Sequence, residues 1–321
     1  MAIVLLLTGC TKEVDLPFPT TGRQVVLNGI LHPDSTIRIT LTETIPLDET
    51  ADFPVITTAS VVLYEDDRLV DTLDFQKDEY TLNYFPLSGK RYTIEATAEG
   101  YLQVKASDLI PQTPLITACY KSQRWFPYHN IALQATIQDH AEKTNYWLSI
   151  IIDQYKQLDS IRCTDINDAR TCSFNDSSVV VTSKLSYIYS NSTIPDVFNS
   201  FIDNTLNGVR SFESFVRIED NAITSPSTTL ELTGNSYYFS NISKIDDSQS
   251  IILEAVSASP HYDRYLKSSV TYYLNNSFGQ ENDQPGLFTE PTRIYSNVEN
   301  GLGIFAAYNS VSINLEDFPC L

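Results

Sequence analysis

The feature that most constrains the fold is a period-two alternation of apolar and polar residues that recurs along the chain. It is clearest at residues 37–42, 92–98 and 131–137, where every second side chain is apolar. Because successive side chains of a strand point to opposite faces, this period buries one face of a sheet. The composition agrees, since 19 Tyr and 15 Phe against 11 Gly favour pleated, half-buried surfaces. We therefore predict an all-β protein with one or two short helices.

Turn residues and prolines divide the β pattern into two parts. Short apolar runs separated by turns fill residues 24–111, which is typical of an immunoglobulin-like β-sandwich. Pro111 and Pro114 then interrupt the alternation. We predict a domain boundary there, with a linker at 11–23 before the sandwich and a larger β-rich domain at 112–321 after it.

Two segments of the second part depart from the strand pattern. Ser259 and Pro260 combine a capping residue with a proline at the first helical position, and Asp263 follows in the first turn. A helix is therefore predicted from Pro260, with its tyrosine-rich face packed on a core. A short helix is also expected at 198–206, and surface loops are expected in the polar stretch 175–196.

The N-terminus carries a signal for covalent attachment to a membrane. The apolar run 2–7 and the small residues Thr8 and Gly9 precede Cys10. This arrangement resembles the end of a bacterial lipoprotein signal peptide, in which the cysteine thiol receives the lipid. We expect residues 1–10 to be that signal and Cys10 to be the lipidated residue, although a short buried strand or helix is the structural alternative. Residues 11–15 resemble the tag that sends such lipoproteins to the exterior of the outer membrane.

Four further cysteines are compatible with an oxidising compartment. Cys163 and Cys172 flank a polar stretch, and we predict a disulfide between them. The alternative, a metal site in this stretch, lacks the spacing of zinc ligands and the calcium-loop pattern. The pairing of Cys119 and Cys320 stays open.

The charge balance excludes one class of partner. With 40 Asp and Glu against 21 Lys and Arg, the formal net charge of -19 repels a phosphate backbone, so no nucleic-acid partner is expected. The same charge opposes adsorption to anionic lipid. Membrane attachment must therefore be covalent or hydrophobic.

The sequence contains no recognisable catalytic motif. G-x-S-x-G, H-E-x-x-H, the P-loop and the dinucleotide fingerprint do not occur, and none of the 4 His lies in a known motif. Gly301 and Gly303 have no basic residue or helix after them, which predicts a tight turn rather than a phosphate loop. We therefore expect a non-enzymatic protein without a cofactor or a metal.

The densest aromatic cluster contains Trp125, Phe126 and Tyr128. Such side chains can stack on sugar rings or anchor a protein interface. The cluster follows the predicted boundary, and aromatic side chains are usually buried. An interdomain surface is therefore favoured over a ligand surface.

The segment 288–305 resembles the closing signature of domain-of-unknown-function family 4249 (DUF4249). A Phe and a Pro lead to Ser-Asn-Val, then to Asn-Gly-Leu-Gly and an Ile-Phe pair. Residues 26–29 and the predicted helix also match the family, so the resemblance covers nearly the whole chain. Its members are Bacteroidota lipoproteins.

The resemblance implies an accessory role rather than a reaction. Family members tend to be encoded beside TonB-dependent outer-membrane transporters, which implies a lipid-anchored, ligand-capturing subunit facing the cell exterior. A stand-alone hydrolase or adhesin acting on polysaccharide or peptide is the alternative. The ligand class, whether glycan, peptide or metal chelate, stays open.

The signature also supplies a candidate partner surface. Residues 296–303 are rich in Asn and Gly, so they predict a structured turn whose apolar flanks pack on the core of the second domain. This turn either completes the fold or presents Asn297, Glu299 and Asn300 to the transporter.

Overall fold

Almost all the regular structure of this computed structural model is β-strand. It describes residues 22–46, 52–125, 128–138, 144–158, 161–163, 172–174, 178–184, 187–190, 196–204, 209–223, 226–235, 250–277, 293–315 and 320. These ranges contain twenty strands, one α-helix and a 3-10 turn at Asp220–Ala222, so the all-β prediction is confirmed. Within them, no helix is long and apolar enough to span a membrane.

The first eight strands form a β-sandwich. One sheet has the order β4-β3-β7-β8, and the facing sheet runs from β1 through β2 and β6 to β5. Period-two burial is observed in both β1 and β2, and Leu27, Ile39, Leu63 and Ile94 are fully buried between the sheets. The strands are β1 Val25–Leu31, β2 Ile37–Glu43, β3 Ser60–Glu65, β4 Arg68–Thr72, β5 Asp74–Gln76, β6 Glu79–Leu82, β7 Arg91–Thr97 and β8 Val104–Leu109.

The next eleven strands form two further sheets and a separate two-stranded sheet, β12-β13, and a second apolar core lies mainly among β10, β11, β17, β18 and β19. One sheet has the order β15-β18-β10-β9, and the other contains β16-β17-β11-β19 with β14 also paired to β11. Leu133, Leu148, Leu230 and Leu253 lie at the centre of this core. The strands are β9 Ile116–Trp125, β10 Tyr128–Gln138, β11 Asn145–Leu158, β12 Ile161–Cys163, β13 Cys172–Phe174, β14 Ser178–Lys184, β15 Tyr187–Ser190, β16 Asp196–Asn204, β17 Val209–Ile218, β18 Ser227–Asn235 and β19 Ser250–Ala258.

The last strand, β20 at Leu302–Asn314, belongs to both halves of the molecule. Residues 302–307 pair in parallel with β1, and residues 308–314 pair antiparallel with β19. The two larger sheets therefore continue into one ten-stranded sheet. Phe305 and Ala307 lie in the first core, so the C-terminal strand completes the sandwich that the N-terminal strands begin.

The helix, α1 at Pro260–Ser277, begins at the predicted proline and contacts β16, β19 and β20. The prediction of a second helix at 198–206 is wrong, because residues 196–204 pair along their whole length with β17. The prediction of loops throughout 175–196 is also wrong, since β14 and β15 lie within that stretch. In each case pairing with a distant strand overrides the local pattern.

Candidate functional site

The N-terminus of α1 is fastened to both cores. Ser259 caps the helix, because its Oγ accepts the backbone N–H of Tyr262 at 3.0 Å. The same hydroxyl donates a short hydrogen bond to Oδ2 of Asp108 on β8. The backbone N–H of Ser259 donates to the carbonyl of Ala307 on β20 at 3.1 Å. The helix therefore begins where β8 and β20 meet.

Asp108 is a buried carboxylate with three donors. Besides Ser259, it accepts the backbone N–H groups of Ala307 at 2.7 Å and of Leu109 at 2.9 Å, and the residue is 2% exposed. Burial raises the pKa of Asp108 to about 6, although these hydrogen bonds and the more distant Arg91 lower it in part. A carboxylate thus links the first core to the helix.

Asp263, one turn into α1, makes the corresponding link to the second half. Its carboxylate accepts Nε and Nη2 of Arg217 at 2.7 and 2.8 Å, Nε1 of Trp147 at 2.9 Å and Nδ2 of Asn145 at 2.8 Å. Burial alone would raise the pKa of Asp263, but the hydrogen bonds from Arg217, Trp147 and Asn145 outweigh it and hold the pKa below its ordinary value. Arg217 also pairs with Glu219 at 2.6 Å.

A surface cleft of about 560 Å³ lies between the outer face of α1 and the segment that leads into β20. The helix contributes side chains spaced three and four residues apart, which share one face. The lining residues are Arg264, Lys267, Ser268, Arg293, Ile294, Tyr295 and Ser296. The cleft therefore combines three cationic side chains with hydroxyl and aromatic groups.

The wall of this cleft is fastened to the helix through Tyr295. Oγ of Ser268 accepts the backbone N–H of Tyr295 at 2.9 Å, and the Tyr295 hydroxyl is 2.7 Å from Nδ1 of His261. Its ring stacks on His261, and the guanidinium carbon of Arg264 lies 5.7 Å from the ring centroid. Burial lowers the pKa of His261, and the nearby charges of Arg264 and Arg91 add to this effect.

The three residues proposed for a partner surface have different surroundings. Asn297 points inward, since its Nδ2 donates to the carbonyl of Phe305 at 2.7 Å and its Oδ1 accepts the N–H of Phe305 at 3.0 Å. Nδ2 of Asn300 donates to the carbonyl of Gln103 at 3.1 Å. Glu299 pairs through its backbone with Lys105, and its side chain is exposed.

The turn therefore packs on the first core. The expectation that Phe305 would enter the core of the second half is wrong, because parallel pairing with β1 places it in the sandwich. Gly303 adopts φ +105, and a Cβ there would lie 2.0 Å from the carbonyl oxygen of Leu27. Glycine is required at this position by both backbone conformation and close approach.

The remaining predicted sites are placed only in part. Cys10 and Phe126 lie outside the described residues. Cys163 and Cys172 are opposite each other in the β12–β13 ladder, but their side chains are not described, so the disulfide stays a prediction. The metal alternative falls on the stretch between them, outside the described residues.

Strands β9 and β10 carry the other two residues of the aromatic cluster. Trp125 and Tyr128 are the terminal register pair of the β9–β10 ladder, and only their backbone is described. Since a strand rises about 3.3 Å per residue, β9 carries Trp125 roughly 30 Å from Ile116. The role of this cluster stays a prediction.

The two cysteines whose pairing was open form a disulfide. Cys119 on β9 is bonded to Cys320 across a sequence separation of 201 residues. The backbone N–H of Cys320 also donates to the carbonyl of Tyr120 at 3.0 Å. This long-range disulfide ties the end of the chain to an edge strand of the second half.

Sequence reasoning missed Asp108, Arg217 and the basic cleft. Asp108 occupies a position in β8 where the alternation after Val104 and Ala106 requires a core-facing side chain. A carboxylate at a core-facing position needs hydrogen-bond donors, so this break in the alternation was a usable signal. Arg217 gave no such signal, because its partner Asp263 lies on α1, 46 residues further along the chain.

Comparisons with known proteins identify a family but no activity. No curated protein matches the sequence at a significant level. A crystal structure of a Salmonella alpha-2-macroglobulin mutant (Y1175G) has 10% identity and a TM-score of 0.22. That match covers 75% of this chain but 14% of the other. The model of the family described as a domain of unknown function (DUF4249) matches residues 11–314. The chain therefore belongs to the DUF4249 family.

Proposed function

We propose that the protein is a non-enzymatic surface lipoprotein that captures a ligand for a TonB-dependent outer-membrane transporter. The observation that carries this proposal is the open cleft of about 560 Å³ between α1 and residues 293–296. Its volume lies within the range of small-molecule sites, roughly 300–1,000 Å³. Its wall belongs to the segment 288–305, which carries the family signature.

Attachment to the outer membrane is proposed through Cys10. The apolar run before Leu7-Thr8-Gly9-Cys10 supports a lipid anchor, and the tag that follows supports an outward-facing location. Cys10→Ala should therefore release the precursor from the outer-membrane fraction, as measured by fractionation and metabolic labelling with a fatty acid. A variant that stays in that fraction with an unchanged detergent requirement would contradict the anchor.

Docking on the transporter is proposed through the turn before β20. Glu299 is its most suitable residue, because its carboxylate is exposed while Asn297 and Asn300 bind backbone carbonyl groups. Glu299→Ala should weaken co-purification of a large outer-membrane barrel with the detergent-solubilised lipoprotein and leave the melting temperature unchanged. Glu99→Ala, an exposed glutamate in the turn between β7 and β8, is the matched control.

The same preparation separates this function from its alternative. A stand-alone hydrolase or adhesin would be fully active without a barrel partner. Isolation of the lipoprotein without any barrel, together with release of products from a polysaccharide or peptide, would favour that alternative and reject the transporter role.

A further inference from the structure

We propose that the cleft beside α1 binds an oxyanion, a carboxylate, phosphate or sulfate group, carried by a small soluble ligand. The three cations that line it, Arg264, Lys267 and Arg293, are the structural basis of this assignment. This proposal names the ligand class for the capture function proposed above. The biological role of the site rests on that function, whereas anion binding itself does not.

The local charge of the cleft is opposite to that of the whole chain. Acidic residues outnumber basic ones by 40 to 21 in the chain, yet among the residues that the structure describes the cleft is lined by three cationic side chains and no acidic one. An anion approaching an acidic protein is repelled, so a cationic cleft is the place where it can be held. The cleft is therefore a local site that attracts anions, although the net charge of the protein repels them.

Among the described residues, the cations of the cleft have no ion-pair partner that would neutralise them. Arg264, Lys267 and Arg293 form no ion pair within the part of the chain that the structure describes. The carboxylate of Glu219 has a weak electrostatic interaction with Lys267, but its ion pair is with Arg217 at 2.6 Å. Like charges that share a cleft repel each other, and an anion between them removes that repulsion.

The donor groups of the cleft also match the shape of an oxyanion. Guanidinium groups present planar arrays of donors that match carboxylate, phosphate and sulfate oxygens, and an ammonium adds a mobile charge. The contacts of the Tyr295 ring with His261 and with Arg264 restrain one side of the cleft. A single bound oxyanion can therefore accept from both the helix and the opposite segment.

The test is calorimetric binding to the full-length lipoprotein in detergent at low ionic strength. The probes are inorganic phosphate, sulfate, citrate, a uronic-acid disaccharide and its neutral counterpart. We expect the anions to bind and the neutral sugar not to bind, with affinity falling as salt is added. The strongest probe then shows whether a carboxylate, a phosphate or a sulfate is preferred.

The variant pair makes this result specific to the cleft. Lys267→Gln with Arg293→Gln should weaken binding by about tenfold or more for each charged hydrogen bond to the anion that is removed. Arg68→Gln with Lys77→Gln removes the same charge from exposed positions of the sandwich and should leave binding unchanged. Equal affinity in both double variants, or equal binding of the neutral sugar, would overturn the proposal.

His261, which contacts the cleft residue Tyr295, provides a second readout. Because the charge of Arg264 contributes to the lowered pKa of His261, a bound anion should raise that pKa in an NMR titration. Anion binding without a transporter partner would leave the oxyanion site intact and reject the docking role. A transporter partner without anion binding would reject the oxyanion site alone.

Discussion

Replacing Asp108 with asparagine should change how stability depends on pH. Burial raises the pKa of this carboxyl from 3.8 to about 6 in the folded protein. A pKa that is higher in the folded state means that folding favours the protonated form. The contribution to stability is therefore complete below about pH 4 and is lost as the pH rises through about 6.

The magnitude follows from the interval between the two pKa values. An interval of about two pH units at 1.36 kcal/mol per unit gives a loss of ~3 kcal/mol from the wild type. Asparagine does not titrate, so the variant does not lose this contribution to stability as the pH rises. The free energy of unfolding of Asp108→Asn, taken relative to the wild type, should thus rise by ~3 kcal/mol between about pH 4 and about pH 7.

Urea unfolding at a series of pH values, followed by tryptophan fluorescence, measures this difference directly. Groups that titrate identically in both proteins cancel, and an unchanged dependence on urea concentration verifies that the unfolding transition is the same. Asp71→Asn is the matched control, since Asp71 also accepts the N–H of the next residue, at 2.8 Å, but is exposed. Parallel profiles for Asp108→Asn and the wild type would refute the reasoning, and so would a difference of opposite sign.

Three further predictions concern stability. Asp263→Ala should lower the free energy of unfolding, measured in urea, by about 3 kcal/mol, because Arg217 stays buried without its main partner. An added Arg217→Met should recover part of that loss. Gly303→Ala should lower the free energy of unfolding by more than about 2 kcal/mol. Gly100→Ala, at φ +86° with open space around it, should lower it by about 1 kcal/mol. Reducing the long-range disulfide should lower stability by about 2–5 kcal/mol, measured by unfolding with and without reductant. A smaller loss for Gly303→Ala than for Gly100→Ala would contradict the close approach to β1.

Local pattern was sufficient where an element is specified by its own residues. The alternation at Tyr92, Ile94 and Ala96 correctly predicted the buried face of β7, and the sequence at Ser259 correctly predicted the start of α1. In each case the relevant physical constraint acts within a few residues. A strand has a period of two, and a capped helix begins at its cap.

Pairing between strands that are distant in the sequence could not be predicted from local pattern. Leu27 lies beside Gly303 in a parallel register, and nothing local to either residue specifies this partner. The same limit explains residues 196–204, which contain apolar side chains at helical spacing but form a strand because β17 pairs with them. The cleft escaped prediction for the same reason, since Arg293 joins Arg264 and Lys267 only through folding.

The spacing of the cations in the cleft depends on both halves of the molecule. Arg264 lies on a helix whose first turn is held by Asp108 from the first core and by Arg217 from the second half. Arg293 lies on a segment that Asn297 fastens to the backbone of β20. Because β20 is paired with both β1 and β19, the segment that leads into it is positioned by both halves of the molecule. We therefore expect the hydrogen bond between Ser259 and Asp108 to affect binding of the proposed oxyanion through the position of α1, although neither residue lines the cleft.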